Sequence, residues 1–240
     1  MKKLILIAVL VFGIIKIANS TIPGPPLIVE CPKCGGEKKL MSLISGNTFG
    51  ALQWSDLYQY APMLPRLSPI QKCPNCNGYF LLSKAKEYYA DDYEGFGDTG
   101  KLTFDEMKEA LSLLEDKTLS KDEQFIIRYE FLHRYNDAFR PYVEEIDEGN
   151  TDDYFPKRDE ADARLNHSNI LALIDLLDET NKEDLILMAE LYREYGEFEK
   201  CISLLDLYRP SSDYVDSIVR EMREKAEEKN DRIFLINGDD

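Results

Sequence analysis

Histidine is almost missing from this chain, with two in 240 residues, and tryptophan occurs once. Neither His133 nor His167 stands beside a nucleophile in a recognisable catalytic motif, so imidazole-based catalysis has no linear signature here. Both fall on or beside predicted helices and are assigned to surface or interhelical positions. Positive charge is also short, since 29 Lys and Arg oppose 45 Asp and Glu for a formal net charge of −16. So acidic a chain repels phosphate backbones, which argues against nucleic acid as a partner. Long apolar runs are lacking as well. The longest, Leu4 to Ile15, spans about 12 residues before Lys16 interrupts it, whereas a membrane span needs about 20. No enzymatic activity is assigned, although a site assembled from distant residues has no signature in a linear sequence.

What is present is cysteine in a pattern. Four of the five cysteines form two knuckles, Cys31-Pro32-Lys33-Cys34-Gly35 and Cys73-Pro74-Asn75-Cys76-Asn77-Gly78. In each, two thiols are separated by two residues, and the chain must turn sharply for both to face one metal. Gly35 and the Asn77-Gly78 pair can adopt the left-handed backbone this needs. A closed tetrahedral site needs four ligands, so Cys31, Cys34, Cys73 and Cys76 are predicted to converge on one structural zinc ion. The gap from Cys34 to Cys73 is about twice the roughly 15–20 residues usual between the pairs of a zinc ribbon. Cys-Pro-x-Cys also resembles the active-site motif of thiol-disulfide enzymes, where the first cysteine sits at a helix N-terminus. Gly35-Gly36 opposes a helix starting there, and thiol-disulfide or metal-handling chemistry through the cysteines stands as the alternative function.

Residues 1–20 read as a signal peptide: Lys2-Lys3, the apolar run, then small residues at Ala18-Asn19-Ser20. Export to a periplasmic or extracellular location is expected, with an uncleaved N-terminal anchor as the alternative and no membrane span in the mature chain. Export sets up a tension, because exposed thiols in an oxidising compartment form disulfides. Metal ligation protects them. Two disulfides among the four cysteines are the other outcome, with three possible connectivities.

The fold class expected is a small zinc-ribbon-like β domain with a long inserted loop, followed by an all-α domain of helical hairpins. Residues 21–90 form the first, 91–102 a linker and 103–240 the second. The apolar runs Leu27-Ile28-Val29 and Tyr79-Phe80-Leu81-Leu82 are strands flanking the knuckles, a sheet so small that metal must supply much of its folding free energy. Between the knuckles, Phe49, Trp54, Met63 and Leu64 are expected to pack over the ribbon as a lid, the alternative being a recognition surface using Asn47, Trp54 and Asp56. The strings SGNTFG (45–50), WSD (54–56) and PMLP (62–65), followed by CPxC, resemble a group of uncharacterised bacterial proteins, a resemblance that covers about the first third of the mature chain and implies no activity.

The stretch Gly100 to Glu106 has the second half of a calcium-binding EF-hand loop, but Gly95, Gly97 and Thr99 stand where early oxygen ligands belong. Thr103-x-x-Glu106 is therefore read as a capping box, as are Ser120-x-x-Glu123 and Thr180-x-x-Glu183. Helices are predicted near 103–116, 120–138, 160–178, 182–195, 198–208 and 212–229. Leu185, Met188, Ala189 and Tyr192, then Gly196, then Phe198, Cys201 and Leu205 resemble one tetratricopeptide repeat, which implies stacked helical hairpins and makes Cys201 a packed core residue.

Charge divides along the same line. Residues 21–90 carry seven Lys or Arg against four Asp or Glu, while 91–240 carry nineteen against forty-one. The acidic run Glu144 to Glu148 and the Asp152-Asp153 pair read as a solvated loop. The function expected is that of an exported, non-enzymatic scaffold binding a protein or peptide, with a basic partner favoured by the carboxylates and by Tyr192, Tyr195, Tyr208 and Tyr214.

Overall fold

The computed structural model describes residues 21–91, 97–140, 158–210 and 212–236. The expected signal peptide and the acidic residues 144–148 and 152–153 lie outside the described residues. Small antiparallel sheets fill the first part of the chain and six α-helices follow. Among the described residues no helix is long and apolar enough to cross a membrane.

Strand β1 (Ile22–Pro23) pairs with β4 (Leu43–Ser45), and β5 (Leu52–Gln53) pairs with β6 (Gln59–Tyr60). The central strand β2 (Leu27–Glu30) lies between β3 (Glu37–Leu40) and β9 (Lys86–Tyr89), which explains why Leu27, Ile28 and Val29 are buried in succession instead of alternating. The hairpin of β7 (Ile70–Lys72) and β8 (Tyr79–Leu81) completes the set. The two knuckles are the turns of the β2–β3 and β7–β8 hairpins.

Helix α1 (Phe104–Ala110) runs into a 3-10 turn (Leu111–Glu115), and α2 (Lys121–Asn136) follows. Then come α3 (Glu160–Ile174), α4 (Lys182–Glu194), α5 (Phe198–Leu207) and α6 (Asp213–Glu227). Thr103 and Ser120 make the reciprocal capping boxes that their sequence spacing implies, with Glu106 and Glu123 reaching back to the cap N–H groups. Before α4 the expectation is corrected. The cap is Asn181, whose Oδ1 accepts from the N–H groups of Glu183 and Asp184, while Thr180 is turned back onto Asp178 Oδ1. Asparagine is as good an N-cap as serine, and the Asp178–Thr180 turn engages the threonine first.

Apolar burial falls into three clusters. Leu27, Val29, Leu40 and Phe80 gather around Cys31 and Cys73. Ile70 and Leu81 pack with Leu102, Met107, Ala110, Ile127 and Phe131. The largest cluster is helical, built on Ile170, Leu173, Leu191, Leu205 and Met222, with Cys201 fully buried within it and its thiol pushed up to about 12 by that burial. Successive strand residues face opposite ways, so in β8 Phe80 points to the cysteines and Leu81 to the helices. The β7–β8 hairpin thus belongs to two cores at once.

The insertion is not a lid on the cysteine knuckles. Trp54, Ser55 and Asp56 are buried against α2, α4 and the end of the chain, whereas Phe49 is 76% exposed. Ser55 and Phe234 exchange hydrogen bonds, and the Ile236 N–H donates to the Gln53 carbonyl, so residues 53–55 form a short antiparallel contact with 234–236. Trp54 is bulky and Asp56 charged, and both went where the helices offered a cavity and a guanidinium. Asn47 stays local, capping the turn by accepting from the Phe49 N–H.

Candidate metal centre

The two knuckles repeat one hydrogen-bond pattern. The Cys31 carbonyl accepts from the Gly35 N–H and the Cys31 N–H donates to the Gly36 carbonyl, each at 2.9 Å; Cys73 does the same with Asn77 and Gly78. Four residues after the first cysteine of each knuckle the backbone is left-handed, at φ 69° for Gly35 and 54° for Asn77. Glycine and asparagine are the residues that adopt this conformation at little cost. Two identical turns on two hairpins therefore aim two pairs of sulfurs at each other.

The sulfurs meet. Cys34 Sγ lies 3.6 Å from Cys73 Sγ, Cys31 Sγ lies 3.9 Å from Cys76 Sγ, and all four are within 4.8 Å of one another. A tetrahedron with zinc–sulfur bonds of about 2.3 Å has edges of about 3.8 Å. The donor set thus fits a tetrahedral ion that prefers thiolates, and the four cysteines of the doubled motif converge as expected.

The surroundings favour thiolate at one corner. Cys34 is exposed, and its sulfur accepts from Asn75 Nδ2 at 3.5 Å and from the Gly36 N–H at 3.4 Å. These bonds lower its pKa to about 6. Cys76 goes the other way, to about 11: the Gly78 N–H lowers it, but the neighbouring sulfurs of Cys34, Cys73 and Cys31, with burial, raise it more. Gly36 has a packing reason, because a Cβ there would meet Asn75 Cβ at 2.7 Å and push away the side chain that serves Cys34.

Comparison with protein-family models, with curated proteins and with solved structures finds no match for this chain.

A second polar cluster escaped the sequence analysis. Asp56, fully buried, pairs with Arg140, also fully buried, and Asp56 Oδ2 accepts from Asn136 Nδ2 at 3.0 Å. The Asp56 carbonyl accepts from the Tyr129 hydroxyl at 2.7 Å and faces His133 Nε2 at 3.3 Å. Beside it Arg193 forks onto Glu190 and donates to the carbonyls of Asn230 and Arg232. His133 is accordingly interhelical and buried, with its pKa lowered to about 4 chiefly by burial. His167 is the exposed one, its ring 5.1 Å from that of Tyr195. No linear spacing announces a pair 84 residues apart; the one signal was an aspartate beside the lone tryptophan in an otherwise uncharged stretch.

Proposed function

We propose that the four cysteines hold one structural Zn2+ in a zinc-ribbon-like site, and that the protein is an exported, non-enzymatic scaffold. The observation that carries the zinc assignment is the convergence of four sulfurs from two identically built turns. Four thiolates leave no open coordination position, so such an ion stabilises the fold and does no chemistry. Membership of the bacterial group that shares the insertion strings belongs to the same proposal.

For the helices we propose tetratricopeptide-like hairpins that bind a protein or peptide. Support comes from the α4–α5 hairpin, which turns at Gly196 with φ 88° and buries Cys201 at the helix crossing. The acidic balance favours a basic segment and a partner that dissociates as salt rises. Tyr208 is buried with its hydroxyl on Asp216, and Tyr192 and Tyr195 pack on the helical core, so among these tyrosines Tyr214, 51% exposed, is the contact candidate.

Metal content with thiol titration decides the first part. One zinc per chain and no rapidly reacting thiol is expected; no metal together with a reducible disulfide would replace the scaffold by the thiol-disulfide alternative, for which the exposure and lowered pKa of Cys34 speak. Capture of basic exported proteins by the full chain at low and high salt tests the second part. Binding indifferent to salt, or no binding at low salt, would remove the basic partner.

A further inference from the structure

Arg66 and Glu130 carry opposite charges and line one cleft, yet among the described residues neither has an ion-pair partner. The cleft, of about 850 Å³, opens between the insertion and α2. Ligand pockets commonly fall between roughly 300 and 1,000 Å³. Its insertion wall is apolar and aromatic, with Tyr60, Pro62, Leu64 and Leu67. We propose that this cleft binds a zwitterion on an apolar body, an α-amino acid with a large apolar side chain, its ammonium on Glu130 and its carboxylate on Arg66.

The carboxylate is the first reason. Glu130 stands half-buried on α2 in the cleft wall, and among the described residues it accepts no hydrogen bond. Its oxygens are not sealed in the interior, so a ligand in the cleft reaches them. A carboxylate drawn partly out of water and left without a donor costs free energy that an arriving donor returns. Burial pushes its carboxyl up to about 7 against the pull of Arg66 and Arg140, and Asp137 adds to the rise. An ammonium brings both the donor and the counter-charge.

The guanidinium opposite is the second. Arg66 is exposed at the rim and makes no hydrogen bond or ion pair among the described residues. The other cations that line the cleft are engaged: Arg134 Nη1 lies 2.7 Å and Lys101 Nζ 3.2 Å from Asp137 Oδ2. Arg66 is near enough to hold the Glu130 carboxyl down, but it does not reach it. A gap between two unpaired opposite charges is the place for a ligand that carries both signs on neighbouring atoms. Carboxylate is the anion whose planar pair of oxygens matches the guanidinium donors. A ligand of one sign would answer one wall and leave the other as it was.

The apolar wall explains why the body matters. Leu64 is 40% exposed at the cleft, with Tyr60, Pro62 and Leu67 beside it. A large apolar side chain takes these surfaces out of water, which is favourable in proportion to the area covered, and a hydrogen atom in its place leaves them wet.

Calorimetric titration of the full chain with phenylalanine, phenethylamine, 3-phenylpropionate and glycine separates the two heads from the body. Phenylalanine is expected to bind roughly tenfold or more tighter than each of the other three. Its affinity should rise from about pH 6 to pH 8 as Glu130 ionises, as should that of phenethylamine, while 3-phenylpropionate gains nothing. Arg66→Gln, a change at an exposed position that keeps the circular dichroism of the parent, should lower phenylalanine to the level of phenethylamine. Glu130→Gln should lower it to the level of 3-phenylpropionate and abolish the rise with pH. Phenylalanine binding no tighter than either single-headed probe, binding of none, or a phenylalanine preference that survives Arg66→Gln would overturn the proposal, even if Glu130→Gln proves unable to fold.

Discussion

The cysteine-bearing strands and the helices solve the same problem by opposite means. Among the described residues, the cluster around the knuckles buries six side chains, two of them the cysteines themselves, whereas the largest helical cluster buries nineteen. Strands of two to four residues close few hydrogen bonds, and six side chains remove too little apolar surface to offset the entropy of ordering them. The four converging cysteines offer a crosslink through the proposed metal that would supply what that core lacks. The helices need none, since each is capped or packed and their apolar faces meet over a large area. The β7–β8 hairpin joins the two regimes by giving Phe80 to one core and Leu81 to another.

The sharpest way to break this contrast is to remove the proposed metal or one of the four cysteines. Cys73→Ser, or treatment with a strong chelator, should cost several kcal/mol locally. Hydrogen exchange should rise across β2, β3, β7 and β8, and next across α1 and α2 through Ile70 and Leu81, while α4 to α6 keep their protection. Uniform loss across all helices would show that the two regions do not differ in what holds them.

Asp56→Ala comes second, because it removes a fully buried carboxylate from the fully buried Arg140. Such removals cost about 3–5 kcal/mol, and denaturant unfolding should show it as a lower midpoint. Its exchange signature should fall on the insertion and α2 and leave the knuckles protected, the reverse of the cysteine substitution.

Acid should then act on the helical side through two buried groups of opposite sign. His133 is held neutral in the fold with a pKa of about 4, below its ordinary value near 6.5. Below pH 6.5 the unfolded chain binds a proton that the folded chain refuses until about pH 4, so stability falls across that window and levels off beneath it. Glu130, raised to about 7, acts oppositely: stability declines as pH rises from about 4.5 to 7, where the unfolded chain has released a proton the folded chain still holds. Between pH 7 and pH 4 the denaturation midpoint of His133→Gln should therefore rise relative to that of the parent, because only the Glu130 contribution is left in the variant.

The smallest effect tests a single cap. Asn181→Ala should cost about 1 kcal/mol, and Thr180→Ala only a few tenths, because Asn181 alone meets the free N–H groups of α4. Thermal unfolding of the two variants side by side reads the difference.

Local signals carried much of this fold. The left-handed positions Gly35 and Asn77, the capping boxes at Thr103 and Ser120, and the helical periodicity around Leu185 to Leu205 are all short-range features, and the sulfur cluster follows from the first of them. What stayed hidden is long-range. Nothing within a few residues of Asp56 names Arg140 as its partner, or tells Trp54 to leave the knuckles for the helices. The cleft beside α2 was equally hidden, since its two walls come from segments some seventy residues apart and neither is unusual alone.

The hydrogen bonds between Ser55 and Phe234 span 179 residues, which bears on the order in which the chain can fold as it is made. Translation is vectorial, and domains tend to fold as they emerge. The knuckles and the α4–α5 hairpin can form with what is already synthesised, but residues 53–55 wait for 234–236, the first of them made 179 residues after Ser55. Until then the Ser55 N–H and the Gln53 carbonyl lack the partners that Phe234 and Ile236 supply, although Asp56 can already meet Tyr129, Asn136 and Arg140. Closure of so long a loop comes late and slowly. A chain arrested within α6 would therefore have its cysteine cluster assembled and Asp56 met by α2, but one edge of the insertion open beside Trp54, a species that tryptophan fluorescence distinguishes from the full chain.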